Sequence, residues 1–546
     1  MDFHFESTVF GHLVRRIFRR KYFQYPDELD ESLLRKAIQQ NNQGTHEKPP
    51  EVSDHSVNTN IEQQPLHGPG TQTASVVLII GWYGGNDPEN PQNWPRSLKY
   101  LITVEMCVLN FAVYIASSIY VPGAHDLMEE FQVSETVALL GLSLFTLGYG
   151  MGPMLWSPLS ELPSLGRTPI FFWTLFAFIL FQLPVGFAPN VGIFLFFRWF
   201  TGFCGSPCLA TGGGTMTDIY PPTQVPYVIC IWSSAGVLGP VFGPIIGGFL
   251  APAMGWRWTI WIFTILCSTV LVSLFFLLPE TNASNILYNR AKRLRQMTGN
   301  AHLRSQSEVE TAKNTARDNL MLLARAFTLT FGEPIVFLMN LYAGLLYGIL
   351  FIWFESFPMV FGDIYGFNAG QQGLVFIGIL VFAIITVPLF LLWIRLQLVP
   401  KLTSGNFKPE MVLPPSFVGC FALPICLFWF GWASNESVHW ILPIIGSGFF
   451  SIGVVTLFNS LFNYLGITYS QHAASVFAGS ALFRASFGAS FPLFARSLFG
   501  TLGIGPGNSL LGGIAMLFIP IPFVFYMYGN RIRRYSRHAT QSFTTD

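Results

Sequence analysis

The 546-residue sequence predicts an all-α membrane protein with twelve membrane-spanning helices arranged in two six-helix halves. Three observations carry this expectation. Charged residues are 11% of the chain and apolar residues 51%, with 54 Phe, 14 Trp and 51 Gly. Ordinary soluble domains carry roughly 25% charged residues, so too few remain here to coat a soluble surface. The mean hydropathy of +0.46 over the whole length requires many segments in hydrocarbon, not one anchor. From about Tyr100 onward, apolar runs of about twenty residues recur, each long enough to cross roughly 30 Å of hydrocarbon. A net charge of +1 leaves no excess of cations to neutralise a run of phosphates, so nucleic acid is not an expected partner.

Residues 1–99 are expected to form a cytosolic, largely disordered tail. The Gln/Asn/His/Pro-rich stretch from Gln39 to Gln72 cannot bury enough apolar area to fold. The start is not a secretory signal, because Arg15, Arg16, Arg19, Arg20 and Lys21 interrupt the apolar residues and no cleavage site follows. Phe10, Leu13, Val14, Ile17, Phe18 and Tyr22 fit one face of a short basic amphipathic helix on an anionic leaflet, with a solvated charge run as the alternative.

The twelve apolar segments lie at about 100–120, 136–157, 168–188, 191–216, 226–251, 258–278, 334–358, 371–396, 411–431, 439–464, 474–495 and 507–529. Six precede the long hydrophilic loop from Thr281 to Glu333 and six follow it, which divides the chain into an N-terminal bundle at 100–280, a cytosolic central loop at 281–333, a C-terminal bundle at 334–530 and a cytosolic tail at 531–546. Lys and Arg concentrate on one side: Arg290, Lys292, Arg293, Arg295, Arg304, Lys313, Arg317 and Arg325 in the central loop, with Arg167, Arg395, Lys401, Lys408, Arg531, Arg533, Arg534 and Arg537 in the other even-numbered loops and the last tail. Arg257 and Arg496 are the exceptions opposite. Both termini are therefore expected in the cytosol. Asn435-Glu436-Ser437 then faces outward as a glycosylation acceptor, whereas Asn282-Ala283-Ser284 does not.

All seven cysteines fall inside apolar runs, without a CxxC pair, and read as packing residues. The sharpest local signal is Gly239-Pro240-Val241-Phe242-Gly243-Pro244-Ile245-Ile246-Gly247-Gly248 in segment 5. Gly239, Gly243 and Gly247 share one helix face and permit backbone contact with a neighbouring helix, while Pro240 and Pro244 remove donors and permit bending. Generic small-residue packing accounts for the spaced glycines but not for the paired Gly-Pro repeat.

This run resembles the antiporter motif of the major facilitator superfamily, matched at Gly239, Gly243, Pro244, Gly247 and Gly248. Segment 4 has Arg198 followed by Gly202, similar to the family's Arg-x-x-x-Gly motif, and segment 6 ends in Pro279-Glu280-Thr281, as in drug:proton antiporters. The loop after segment 2 carries Pro158-Leu159-Ser160-Glu161 and then Gly166-Arg167, similar to the fungal variant of the family's cytosolic loop motif, with a departure in spacing around Glu161. Four further stretches resemble the fungal benomyl, fluconazole and cycloheximide resistance transporters: Asp87 to Pro95, Ser206 to Gly213, Leu287 to Arg295, and Ala474 to Ala478 with Phe491 to Phe494. The resemblance covers about 460 residues from Trp82 onward. It implies twelve helices in two pseudo-symmetric bundles, alternating access and proton-driven export of amphipathic compounds; the chain is further expected to act as a monomer in the plasma membrane, without cofactor or nucleotide.

Charges at the centre of a membrane helix cost roughly 2.5–3.5 kcal/mol each on insertion scales, so those retained are candidate functional groups. Glu105 in segment 1 and Glu355 late in segment 7 are candidate proton carriers, with snorkelling to an interface as the alternative. Arg198 matches the proton-transfer motif, with a purely structural interhelical salt bridge as the alternative. Asp218 closes segment 4 on the cytosolic side and reads as a gate contact or a proton site; Glu161, Gly166 and Arg167 belong to the same gate. Tyr114, Tyr347, Trp353, Phe458 and the intramembrane Arg484 are candidate walls of a substrate cavity, against lipid-facing packing for any one aromatic residue.

Other classes are less well supported. An ATP-driven pump lacks its GxxxxGK[ST] loop. A membrane-bound hydroxylase or desaturase needs clustered histidines, yet no two of the ten lie within four positions of each other. The remaining rival is a facilitator or exporter dedicated to one nutrient or secondary metabolite on the same fold.

Overall fold

The computed structural model describes residues 5–18, 22–29, 78–312, 326–404, 407–469 and 473–536. Among these residues eleven helical spans are long and apolar enough to cross a membrane: Arg96–Phe131, Glu135–Glu161, Thr168–Gly186, Val191–Ile219, Val225–Met254 and Trp256–Leu277 before the central loop, and Pro334–Ile364, Ala369–Thr403, Pro414–Ala433, Ile441–Thr468 and Ile504–Tyr535 after it. The eleventh predicted segment is the helix Ala473–Leu502. At 30 residues it has the length to span, but it falls outside the apolar set because it carries Arg484 and a run of small and polar residues. Those residues suit its place: it packs between spans 7 and 2, against protein on two sides. Counting it as span 11, the order of elements is that expected from the sequence.

Burial separates the central helices from the peripheral ones. The apolar windows of spans 1 and 7 are 78% and 83% buried, whereas those of spans 8 and 12 are 28% buried. Spans 1 and 7 therefore line the middle of the molecule and spans 8 and 12 turn most of their surface to the hydrocarbon. Span 4 is two helices, Val191–Gly205 and Pro207–Ile219, meeting at Ser206, because Pro207 has no N–H to continue the ladder. Spans 7, 8 and 10 each contain a wider turn, at Pro358–Ile364, Ile394–Leu398 and Val454–Phe458, in which the backbone takes π-helical bonds.

The halves meet along two seams. In the first, a Cβ added at Gly150 of span 2 would lie 2.1 Å from the Cβ of Ala485 in span 11, and the Ser143 hydroxyl donates to the Ala489 carbonyl at 2.7 Å. In the second, span 5 rests on span 8: a Cβ at Gly248 would lie 2.5 Å from the Ala369 carbonyl oxygen, and one at Gly373 2.4 Å from that of Pro244. Such distances leave room only for glycine.

The N-terminal tail departs from the expectation of general disorder. Residues 30–77 lie outside the described residues, but residues 5–18, 22–29 and 78–99 are built into the fold. Thr8 caps the helix Val9–Ile17, its Oγ1 accepting from the Gly11 N–H at 3.0 Å. Phe10 packs on Phe275 and Phe276 at the end of span 6, with ring centroids 5.8 and 5.1 Å apart, while Leu13, Ile17, Phe18 and Tyr22 stay exposed. The helix covers Val9–Ile17 with Phe18 as its C-cap, so Tyr22 lies beyond it, and Phe10 is turned onto span 6. The described part of the central loop also folds. Its helix Ala283–Thr298 is capped by Asn282, and its strand Leu303–Ser305 pairs in parallel with Leu78–Ile80, Leu78 facing Leu303.

Buried ion pairs join tail and loop. Arg290 donates to both oxygens of Asp87 at 2.7 and 3.0 Å, and Arg293 donates to Asp27 at 3.1 Å and to Glu89 at 3.0 Å. The Tyr83 and Glu89 N–H groups complete the shell of Asp87 at 2.8 and 2.9 Å. Burial raises the Asp87 pKa, but the hydrogen bonds and charge of Arg290 outweigh it and hold the carboxyl below its usual range. At Asp27 burial wins, and the carboxyl sits above its usual range.

Removing one partner of a buried pair costs about 3–5 kcal/mol. Arg290→Gln is therefore expected to release this clasp, read as faster hydrogen exchange over 78–94 and 283–298 with unchanged protection in spans 2 and 11. Acid acts in the same direction. A depressed carboxyl contributes stability above its unfolded pKa of about 3.9 and loses it as pH falls through the folded value, so the Asp87 contribution holds at neutral pH and fades only below about pH 4. Asp27, with its raised pKa, takes up a proton first.

Candidate transport pathway

The Gly-Pro run of segment 5 lies in the 30-residue helix Val225–Met254. Its three in-register glycines face span 1: an added Cβ would lie 2.6 Å from the Tyr114 Cβ at Gly239, 2.0 Å from the Ser118 Oγ at Gly243, and 2.0 Å from the Ile119 carbonyl oxygen at Gly247. Gly248 points the other way, to span 8 of the opposite bundle. Pro244 has no N–H to bond the carbonyl four residues earlier, which belongs to Pro240. Ser118 fills that gap, its hydroxyl donating to the Pro240 carbonyl at 2.9 Å. One short sequence thus holds a neighbour in its own bundle and touches the other bundle.

Arg198 is fully buried. Its Nε donates to the Gly141 carbonyl at 3.1 Å and its Nη1 to the Ala116 carbonyl at 3.0 Å, and its guanidinium lies 4.6 Å from the ring centroids of both Tyr120 and Phe145. Among the described residues it forms no ion pair, so the carboxylate partner that an interhelical salt bridge would supply is absent there, and backbone carbonyls take its place. Gly202, one turn on, lets span 4 reach span 2, since a Cβ there would lie 2.1 Å from the Phe145 carbonyl oxygen.

The loop motif after span 2 closes around two carboxylates. Arg167 donates from Nε to one Asp218 oxygen at 2.6 Å and from Nη2 to the other at 3.2 Å. Burial lowers the Arg167 pKa, yet the Asp218 charge outweighs it and leaves the group above its usual value. Gly166 has φ +80°, and a Cβ there would lie 2.5 Å from Glu280 Oε2. Glu280 accepts from the backbone N–H groups of Arg167, Thr168 and Asn282 at 3.0, 3.1 and 2.8 Å. The Pro279-Glu280-Thr281 motif alone assigns Glu280 no role; its place two residues before the helix-capping Asn282 is the sequence signal for this one. Glu161 ends span 2 at the surface.

A small enclosed space of about 10 Å³ lies between the bundles, walled by Asn110, Tyr114, Leu209, Trp232, Ser233 and Gly236 from one half and Tyr347, Phe458, Phe462 and Arg484 from the other. That is room for about one water molecule, so a drug-sized ligand requires the halves to separate. The Ser233 hydroxyl donates across the interface to Asn459 Oδ1 at 2.8 Å. Four of the five expected wall residues, Tyr114, Tyr347, Phe458 and Arg484, meet here. Trp353 does not. It is fully buried inside the C-terminal bundle, packed on Phe357, Phe430 and Phe450, because it lies on another face of the same helix.

The candidate proton carriers are apart from each other and from this space. Glu105 sits between spans 1 and 6, accepting from the Ser273 hydroxyl at 2.7 Å. Glu355 lines a separate cavity of about 490 Å³ between the ends of spans 1 and 7 and the start of span 8, with Phe354, Gln372 and the ion pair between Glu135 and Arg496. Asn435 lies on the exposed turn after span 9, its side chain accepting from the Ser437 N–H at 3.4 Å. No group of three or more potential metal ligands occurs among the described residues.

Two helical bundles in backbone contact, with charged and aromatic residues enclosed between them, define a membrane transporter of the two-bundle class. The chain belongs to the Major Facilitator Superfamily, whose family model matches residues 106–493. It is similar to the Cycloheximide resistance protein of Candida maltosa, 35% identical over 549 residues that cover 98% of this chain and 99% of the relative. It is also similar to Fluconazole resistance protein 1 of Saccharomyces cerevisiae, 38% identical over 468 residues that cover 85% of each. The first of these alignments takes in nearly the whole chain, beyond the start at Trp82 expected from the motifs. Among solved structures, the proton:xylose symporter XylE shares the fold with a TM-score of 0.58 at 14% identity, covering 80% of this chain and 96% of that one.

Gly243→Leu puts a side chain where 2.0 Å separates an added Cβ from Ser118. Overpacking costs about 1–3 kcal/mol even in adaptable cores. The variant is expected to reach the membrane, melt at a lower temperature and lose transport; full transport activity at normal surface levels contradicts a working role for this seam.

Proposed function

We propose that the chain is a proton-coupled efflux transporter that exports amphipathic xenobiotics, azole-type antifungals among them, by alternating access. The observation that carries this reading is the Gly-Pro helix of span 5, which grips span 1 through Gly239, Gly243 and Gly247 and meets span 8 through Gly248. A helix in backbone contact with both halves passes a change in one to the other. The printed names of the fungal relatives, which refer to cycloheximide and fluconazole resistance, support the same substrate class. The transporter acts as a monomer in the plasma membrane with both termini in the cytosol.

In this reading Glu355 takes a proton from the outer side through its cavity, and its neutralisation removes a buried charge that otherwise disfavours closure of the wall around it. Glu105 is the second carrier, nearer the inner side. Arg198 positions spans 1, 2 and 4 around the path by donating to two backbone carbonyls, and the Arg167–Asp218 pair closes the inner end. A proton crossing 100 mV supplies about 2.3 kcal/mol, and each unit of pH difference adds about 1.4 kcal/mol. Two such units of driving force support a gradient of several hundredfold or more at perfect coupling.

The test is efflux from de-energised vesicles driven only by an imposed pH gradient. Glu355→Gln keeps shape and deletes titration, and is expected to lose most pH-driven efflux; Glu105→Gln is expected to lose less alone and to complete the loss in combination. Undiminished efflux in the double variant rejects both as carriers. Arg198→Lys keeps charge but loses the planar fork that reaches two carbonyls at once, so transport is expected to fall at least tenfold, on the scale of one lost charge-assisted hydrogen bond. For orientation, a protease added outside intact cells is expected to spare an N-terminal tag, and glycan-dependent mobility is expected to vanish in Asn435→Gln.

A further inference from the structure

We propose that the central site recognises hydrogen-bond acceptors: it takes neutral amphipaths with exposed carbonyl or heteroaromatic nitrogen acceptors and amphipathic carboxylates, and it rejects cations. This rests on the efflux reading above for its setting and on Arg484 for its content. Arg484 is 3% exposed and is the one charged residue in the wall of the enclosed space between the bundles. Among the described residues it forms no ion pair. Its Nη1 reaches the Tyr114 hydroxyl at 3.4 Å and its Nε the Ser480 carbonyl at 3.3 Å, both long for charge-assisted hydrogen bonds. Its remaining support is aromatic, with the guanidinium 4.9, 4.8 and 5.3 Å from the ring centroids of Tyr347, Phe458 and Phe462.

A buried guanidinium with weak partners is a donor waiting for an acceptor. The Trp232 ring walls the same space, while its indole N–H lies against Gly212 without a hydrogen-bond partner. Asn110 contributes one unpartnered acceptor, Oδ1, enough for a single amide or imide N–H of a neutral ligand but without the charge to hold an ammonium. The intramembrane carboxylates stand elsewhere: Glu105 accepts from Ser273, and Glu355 lies in the separate cavity at the opposite end of span 7 from the central loop. Aromatic faces are the usual alternative means of holding a cation. Here the faces of Tyr347, Phe458 and Phe462 already hold Arg484, and a second cation beside it is repelled.

The experiment uses the full chain reconstituted in vesicles with an imposed pH gradient and three probes: fluconazole as the neutral acceptor, carboxyfluorescein as the anion and rhodamine 6G as the cation. The same probes are titrated against the detergent-purified protein by quenching of tryptophan fluorescence, which reads binding without transport. The wild type is expected to bind and export the first two and not the third. Arg484→Gln is expected to weaken the anion roughly 10- to 100-fold, the loss of one charge-assisted hydrogen bond, and the neutral probe less. Arg484→Lys, which retains charge without the fork, is expected to keep part of the anion binding, and Arg484→Glu to admit the cation. Rhodamine 6G bound by the wild type as tightly as carboxyfluorescein, or unchanged anion affinity in Arg484→Gln at normal monodispersity, overturns the proposal. Binding in the expected order without export of any probe leaves the recognition rule standing and rejects the efflux reading instead.

Discussion

Backbone contact between span 5 and span 1 is the constraint on which the rest of the arrangement depends. Hydrocarbon gives helices no hydrophobic reason to associate, because lipid chains are as apolar as leucine; close packing and interhelical hydrogen bonds must do it. Gly239, Gly243 and Gly247 bring the two helices near enough for Ser118 to donate to the carbonyl that Pro244 leaves without a partner. The same approach sets Tyr114 against Gly239 and so fixes one wall of the central space. Because Gly248 continues the helix into contact with Ala369, the same stretch also forms one of the seams between the halves, beside that of spans 2 and 11, without any side chain larger than phenylalanine.

The two functional regions have opposite electrostatic designs. At the face carrying the tail and the central loop, every buried charge described in the clasp has a counter-charge: Arg290 with Asp87, Arg293 with Asp27 and Glu89, Arg15 with Glu28. In the membrane interior, Arg198 and Arg484 are held by carbonyls, hydroxyls and aromatic rings. Paired charges lock parts together. A charge held only by neutral dipoles leaves the surrounding elements free to rearrange without breaking an ion pair, which suits a region that must open.

Much of this was legible in the sequence, and the exceptions have identifiable causes. Apolar run length located the spans, because hydrocarbon thickness sets that length directly. Span 11 was legible too, although Arg484 and its small residues depress its hydropathy, since its neighbours on either side are unmistakable. The glycine seam was readable from spacing. The clasp was not: Asp87 and Arg290 are some 200 residues apart, and each motif taken alone resembles a solvated loop. Trp353 was misplaced because a large aromatic residue has the same character in a bundle core as in a cavity wall, and only the helix rotation distinguishes them. The partners of Arg198 were hidden for a related reason, since backbone carbonyls leave no trace in residue identity.

The wide turns in spans 7, 8 and 10 give the C-terminal half a property of its own. Each accommodates one more residue than a regular helix would, so everything beyond it is rotated by about 100° about the helix axis. In span 10 the turn Val454–Phe458 stands between a stretch where Gly446 nests against Trp429 of span 9 and a stretch where Asn459 meets Ser233 of the other bundle. A single helix thereby serves two neighbours that lie in different directions. Phe458 and Phe462, which flank Arg484, sit at and just past this point, so the turn fixes which side chains of span 10 form the wall of the central space.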